Sequence, residues 1–240
     1  MLKEQKIGDL LCRHYSASED INSALVCCHG YGAPGTDLVS LGAEFVRANP
    51  KLKNTRFYFP EAPLELAMMF GARAWWNIDM ARLEEAMQSG KTREMRSEVP
   101  EGLKSARQKL ERTLDLIAQE FNLPFSKIVV GGFSQGAMLT TDVALQSAER
   151  FGGLMVLSGA LINEEVWAQK ASKRSGFKVF QSHGTQDPIL GYAQSQDLKA
   201  LFEKAEFENT FVSFDGGHTI AQNALLKAAA FLGEILVEND

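Results

Sequence analysis

The five residues Gly132-Phe133-Ser134-Gln135-Gly136 spell G-x-S-x-G, and what flanks them narrows the fold more than any other stretch of the chain. Residues 127–131, Lys-Ile-Val-Val-Gly, are a short β-branched apolar run of the kind that forms a buried strand. Residues 137–145 continue as a helix. Strand, sharp turn and helix are the setting in which this pattern makes a nucleophile elbow. The turn strains the backbone of the serine, and glycines on either side leave room because they lack Cβ. The Ser134 hydroxyl then stands above a sheet, beside the start of a helix. Outside that setting the pattern is only a Gly-rich loop.

The rest of the chain alternates in the same way. Strand signals fall at 25–28, 56–59, 127–130, 154–157, 178–181 and 210–214. A helix is predicted over 100–121, with Leu103, Ala106, Leu110, Leu114, Ile117 and Phe121 at three- and four-residue steps and Pro100 in its first turn. A second is predicted over 219–236, with Ile220, Leu225, Ala228, Leu232 and Leu236 on one face. Alternating strands and helices predict a mostly parallel central sheet with helices on both faces, an α/β fold. The 240 residues show no repeat or linker, so one domain over 1–240 is expected.

A serine nucleophile needs a base, and the base needs an acid to orient it. Of the four histidines, His183 and His218 follow Ser134. In the strand–elbow–helix arrangement the order is Ser, acid, His. His218, in the turn Asp215-Gly216-Gly217-His218, leaves Asp187 between serine and histidine; His183 as base would put Asp187 after it. Both Asp187 and His218 then lie just past strand ends, where sites of open α/β sheets gather. Asp215 is the rival acid, but it shares one loop with His218. His183 reads as structural, bonding the loop that carries Asp187. Taken singly, each residue also fits an ordinary turn.

The oxyanion formed in acyl transfer needs N–H donors. The backbone of Gln135 at the helix start supplies one. The loop His29-Gly30-Tyr31-Gly32 after strand 25–28 supplies another, assigned to Tyr31. No phosphate-binding G-x-x-x-x-G-K-[ST] or G-x-G-x-x-G follows a strand. Met68, Met69, Phe70, Trp75 and Trp76 cluster in a long loop; they suit either an acyl or aromatic pocket or core packing beneath the loop, with Trp75 and Trp76 favoured for the pocket. Residues 80–99 read as a solvated excursion or a small lid.

A net charge of −5 argues against nucleic acid and anionic membranes as partners. No apolar run of about 18 residues predicts a span, and no signal-peptide pattern opens the chain. Cys12, Cys27 and Cys28 make no disulfide framework and suit a reducing cytoplasm. No His/Cys/Asp cluster has metal-ligand spacing, so neither metal nor other cofactor is expected. A monomer or a homodimer is equally compatible with the chain.

Four segments resemble the acyl-protein thioesterase and phospholipase/carboxylesterase family of α/β-hydrolases. They are His29-Gly30-Tyr31-Gly32, Gly132-Phe133-Ser134-Gln135-Gly136, His183-Gly184-Thr185-Gln186-Asp187-Pro188 and Gly217-His218-Thr219-Ile220. The resemblance covers nearly all of the chain from Ala24 onward. It implies an α/β-hydrolase fold and a triad of Ser134, Asp187 and His218. It also implies oxyanion donors on Tyr31 and Gln135, and hydrolysis of carboxylic esters or thioesters of small molecules or acylated substrates without a cofactor. Trp75-Trp76-Asn77-Ile78 departs from the Trp-Phe-Asp-Ile common in the family, where substrate contacts fall. A silent binding protein on the same scaffold and an acyltransferase using the same triad are the alternatives.

Overall fold

A strand that is apolar at every position must be covered on both sides, because successive side chains point to opposite faces. The computed structural model, which describes residues 2–67, 70–79 and 94–237, shows how this chain does so. Its strands are β1 (Leu2–Ile7), β2 (Leu10–Tyr15), β3 (Ser23–Cys28), β4 (Thr55–Pro60), β5 (Leu64–Glu65), β6 (Arg73–Ala74), β7 (Ile128–Phe133), β8 (Gly153–Leu157), β9 (Lys178–Gly184) and β10 (Glu208–Phe214). Its α-helices are α1 (Ser40–Ala48), α2 (Leu103–Glu120), α3 (Gln135–Gln146), α4 (Glu164–Ala171), α5 (Tyr192–Lys204) and α6 (Gln222–Leu236).

Eight strands form one sheet in the order β1-β2-β4-β3-β7-β8-β9-β10, and β5 and β6 form a separate hairpin. Every pair from β4 to β10 in that order is parallel; β2 runs against both of its neighbours. On β3, Ala24, Val26 and Cys28 enter one buried cluster, and Leu25 and Cys27 enter the other. β7 divides likewise, with Ile128 and Val130 on one side and Val129 on the other. The first cluster is closed by α2 through α5, including Leu110, Leu139, Trp167 and Phe202. The second is closed by α1 and α6, through Phe45, Ala228 and Leu232. This is the expected α/β-hydrolase architecture.

Strand and helix expectations along the core hold to within a few residues. The N-terminal pair β1–β2 has no counterpart among them. β1 is exposed at all but its last residue and carries lysines and glutamate, so apolar periodicity gives no signal there. Such charge on an edge strand discourages pairing with another chain. In the expected excursion over 80–99, residues 80–93 lie outside the described residues. Residues 94–99 are tied to α4 and α5. Glu98 O accepts from Asn163 N at 2.9 Å, and Arg96 pairs with Glu164 at 2.6 Å and Asp197 at 3.3 Å.

Candidate active site

Ser134 directly follows β7 and occupies the N-cap of α3 with φ 54° and ψ −119°, a region that L-residues avoid. Its N–H donates to Leu157 O at 2.9 Å, and its carbonyl accepts from Ala137 and Met138 at 3.0 and 3.1 Å. The strand is thus fixed on one side of the residue and the helix on the other. The elbow glycines are sterically required. A Cβ on Gly136 would fall on the carbonyl oxygen of Cys28, and one on Gly132 would fall on the backbone of Gly136.

His218 lies past the end of β10 and Asp187 past the end of β9, both at the same C-terminal end of the parallel strands as Ser134. His218 Nδ1 is 2.6 Å from Asp187 Oδ2. The other carboxylate oxygen of Asp187 accepts the N–H groups of Ile189 and Leu190, each at 2.9 Å. His183 is fully buried; its Nε2 is 2.7 Å from Leu190 O and 3.3 Å from Asp187 Oδ2. A carbonyl only accepts, so His183 carries a proton on Nε2. Burial pushes the Asp187 carboxyl up, but hydrogen bonds from His183 and His218 overcome it and hold the group well below the usual carboxylate range. Asp215 is engaged elsewhere, accepting from Gln186 Nε2 at 2.7 Å. The two loops are joined by Thr185 N to Phe214 O and Gln186 N to Gly216 O, each 2.9 Å. The His218 ring rests on Phe133, with centroids 4.7 Å apart. With Nδ1 donating to Asp187, Nε2 of His218 is left as the basic nitrogen.

Gln135 begins α3, so its N–H has no acceptor within the helix and sits at the positive end of the dipole. Its side chain is buried and does separate work. Oε1 accepts Trp75 N at 2.9 Å, and Nε2 donates to Trp76 O at 2.8 Å. The Trp75 indole donates to His29 O at 2.9 Å. In the loop of Tyr31, Gly32 N bonds Arg73 O and Arg73 N bonds Ala33 O, so the β5–β6 hairpin is stitched to it.

A cleft of about 270 Å³ opens beside Ser134, Tyr31, Gln135 and His218. Its apolar wall is Ile78, Met95, Phe133, Met138, Ile189 and Leu190, and Asp37 adds one carboxylate. Trp75 and Trp76 are not in that wall. They are 2 % and 3 % exposed and belong to the core beneath the loop, because Gln135 ties their backbone inward. The preference for them as pocket residues is therefore corrected. Phe70 is fully exposed and is not among the lining residues. Met68 and Met69 lie outside the described residues. The lining residues that sequence reasoning missed include Met138, one helical turn beyond Ser134, a spacing that places it on the site-facing side. Ile189 and Leu190 directly follow the Asp187-Pro188 turn and were equally open to notice. Among the described residues no group of three or more His, Cys, Asp or Glu side chains forms a metal-ligand set, and no helix is long and apolar enough to cross a membrane.

The sheet and the elbow define an α/β-hydrolase with a serine presented to an apolar cleft. Residues 15–236 match the family model described as phospholipase/carboxylesterase, and the chain belongs to that family. It is 30 % identical over 215 residues to acyl-protein thioesterase 1 of Eremothecium gossypii, covering 87 % of this chain and 86 % of that protein. To acyl-protein thioesterase 1 of Kluyveromyces lactis it is 31 % identical over 197 residues, covering 79 % and 80 %. Among solved structures, esterase PE8 superposes with a TM-score of 0.76 at 26 % identity, over 98 % of this chain and 99 % of that one. The chain is a serine hydrolase of ester or thioester bonds.

Proposed function

We propose that Ser134, His218 and Asp187 form the catalytic triad and that Tyr31 and Gln135 donate the oxyanion N–H groups. The 2.6 Å Asp187–His218 pair, with His218 lining one cleft together with a strained serine, carries this reading. His218 Nε2 takes the Ser134 proton as Oγ attacks the acyl carbonyl. Negative charge collects on the carbonyl oxygen, where the two N–H groups stabilise it. Collapse breaks the bond to the leaving alcohol or thiol, which receives the proton from His218. Water then attacks the acyl-serine, gives its proton to His218, and releases the acid as that proton returns to Ser134 Oγ. Asp187 holds the ring with Nδ1 protonated and supports its positive charge.

The apolar wall fits an acyl chain, and the names of the curated relatives point to an acylated protein as the thioester substrate. A cytoplasmic site of action goes with this reading and agrees with Cys12, Cys27 and Cys28, all buried free thiols.

Hydrolysis of p-nitrophenyl esters and acyl thioesters of increasing length tests the proposal. Ser134→Ala is expected to lose at least about 10³-fold in kcat while staying folded. A variant that keeps wild-type turnover would remove Ser134 from the mechanism.

A further inference from the structure

His29 is buried, titratable and unused by the triad. Its ring lies directly behind the loop of Tyr31, 2 % exposed, with both nitrogens engaged. Nε2 is 3.0 Å from the backbone N of Ala62, and Nδ1 is 2.8 Å from Gly30 O. A backbone N–H only donates, so Nε2 is an acceptor. A carbonyl only accepts, so Nδ1 carries the hydrogen. The two contacts together permit one neutral tautomer. Burial also pushes the ring pKa down, outweighing the Gly30 bond and the carboxylates of Asp37 and Glu61.

Gly30 C=O and Tyr31 N–H are the two ends of a single peptide plane, and the peptide is trans. In a trans peptide they point in opposite directions. A carbonyl held on the His29 ring therefore turns the Tyr31 N–H away from the ring. Gly30, Tyr31 and Ser134 all border the cleft. Glycine at position 30 keeps this approach uncrowded, since a Cβ there would lie 3.2 Å from the Ser134 Cβ and 3.3 Å from Phe133 Cδ1. Glycine also makes the Gly30–Tyr31 peptide easy to flip. The tight approach to the elbow thus favours a residue that gives little resistance to the rotation that would misdirect the donor. We infer that His29 is the positioning residue that prevents it, the middle link of a hydrogen-bond chain from Ala62 N–H through the imidazole and Gly30 C=O to Tyr31 N–H. Accepting at the carbonyl also polarises the peptide and strengthens its N–H as a donor. The inference rests on the proposed role of Tyr31 in the oxyanion hole.

Two substitutions separate the ends of the ring. Asparagine places an amide N–H near the Nδ1 position, so His29→Asn can still hold Gly30 O. Glutamine places its amide near Nε2, so His29→Gln can still engage Ala62 while leaving Gly30 O only the longer 3.4 Å bond from Ala33 N. With a p-nitrophenyl ester, His29→Gln is expected to lose roughly 10- to 100-fold in kcat with KM within about 3-fold, less than deletion of an oxyanion donor. His29→Asn is expected to keep kcat within about 5-fold of wild type, and the two variants should melt alike. Equal kcat in the two variants, or the reverse order, overturns the inference. Imidazole ¹⁵N NMR of the wild type at neutral pH needs no variant to fold. It should show His29 neutral and protonated at Nδ1, and the Nε2–H tautomer would overturn the chain directly. A wild type without Ser134-dependent turnover would instead sink the proposed function and take this inference with it.

Discussion

At the scale of single residues, the site sets backbone strain against fixed partners. Ser134 has φ 54° without being glycine, and such conformations hold of the order of 1–3 kcal/mol. Ser134→Ala and Ser134→Gly both delete the hydroxyl, but only glycine relaxes the backbone. Ser134→Gly is therefore expected to be more stable than Ser134→Ala by about 1 kcal/mol, after the greater unfolded-state entropy of glycine is subtracted. Denaturant melts of the pair decide it, and coincident curves would mean that the elbow holds no strain. Asp187 is the second case. Its native carboxyl lies well below the ordinary value near 4. Its stabilisation is thus complete above that ordinary value and drains away as pH falls through the lower native one. Asp187→Asn keeps an acceptor for the Ile189 and Leu190 N–H groups but loses the charge facing His218. We expect kcat to drop by roughly 10³- to 10⁴-fold, as for an acid that fixes the histidine tautomer. We also expect a shallower loss of stability than wild type on going from pH 5 to pH 2. Parallel acid profiles of the two proteins would contradict the charge assignment.

At the scale of elements, Gln135 shows how a helix start and a distant loop are made interdependent. Its backbone belongs to α3, and its amide satisfies Trp75 N and Trp76 O. Gln135→Leu leaves a buried N–H and a buried C=O without partners while keeping the backbone N–H at position 135. Each orphaned group costs about 1–3 kcal/mol, so destabilisation of about 2–6 kcal/mol is expected, with kcat within about 10-fold in the folded fraction. A loss under 1 kcal/mol would show that water replaces the amide. The same bonds explain why the tryptophans were misread. Their sequence context is a long loop, and only partners far away in sequence, Gln135 and the His29 carbonyl, turn them into the core. By contrast, Leu103, Ala106, Leu110, Leu114 and Ile117 were legible because helix periodicity is local, and all five are buried. The β1–β2 pair was not legible, because a charged edge strand has no buried face over most of its length.

At the scale of the whole molecule, parallel order brings Ser134, Asp187 and His218 to the same end of the sheet. Each follows a strand, and β7, β9 and β10 all end on that side, so their common location was legible from chain order plus loop position. The cleft wall was less legible. Ile78, Met95 and Ile189 come from separate segments, and nothing in the local pattern of any one of them announces that they meet. The same is true of His14, far from the site on β2. It pairs in register with Tyr58 of β4, its ring 5.5 Å from the phenol, and it is 5 % exposed. Burial first, then the nearby Arg56 and Lys3 charges, lowers its pKa from 6.5 to about 4. Between those values the unfolded chain binds a proton that the native protein refuses, so stability rises with pH. The contribution is complete above about 6.5 and is lost as pH falls toward about 4. One pH unit is worth about 1.4 kcal/mol, so the interval holds at most about 3 kcal/mol. His29, also buried and lowered, adds a slope of the same sign. His14→Gln removes only the first of these. Urea unfolding at pH 7, 5.5 and 4.5 should show wild type losing about 2–3 kcal/mol more than the variant over that range. Equal losses would mean that the His14 ring takes up its proton inside the folded sheet as readily as in the unfolded chain.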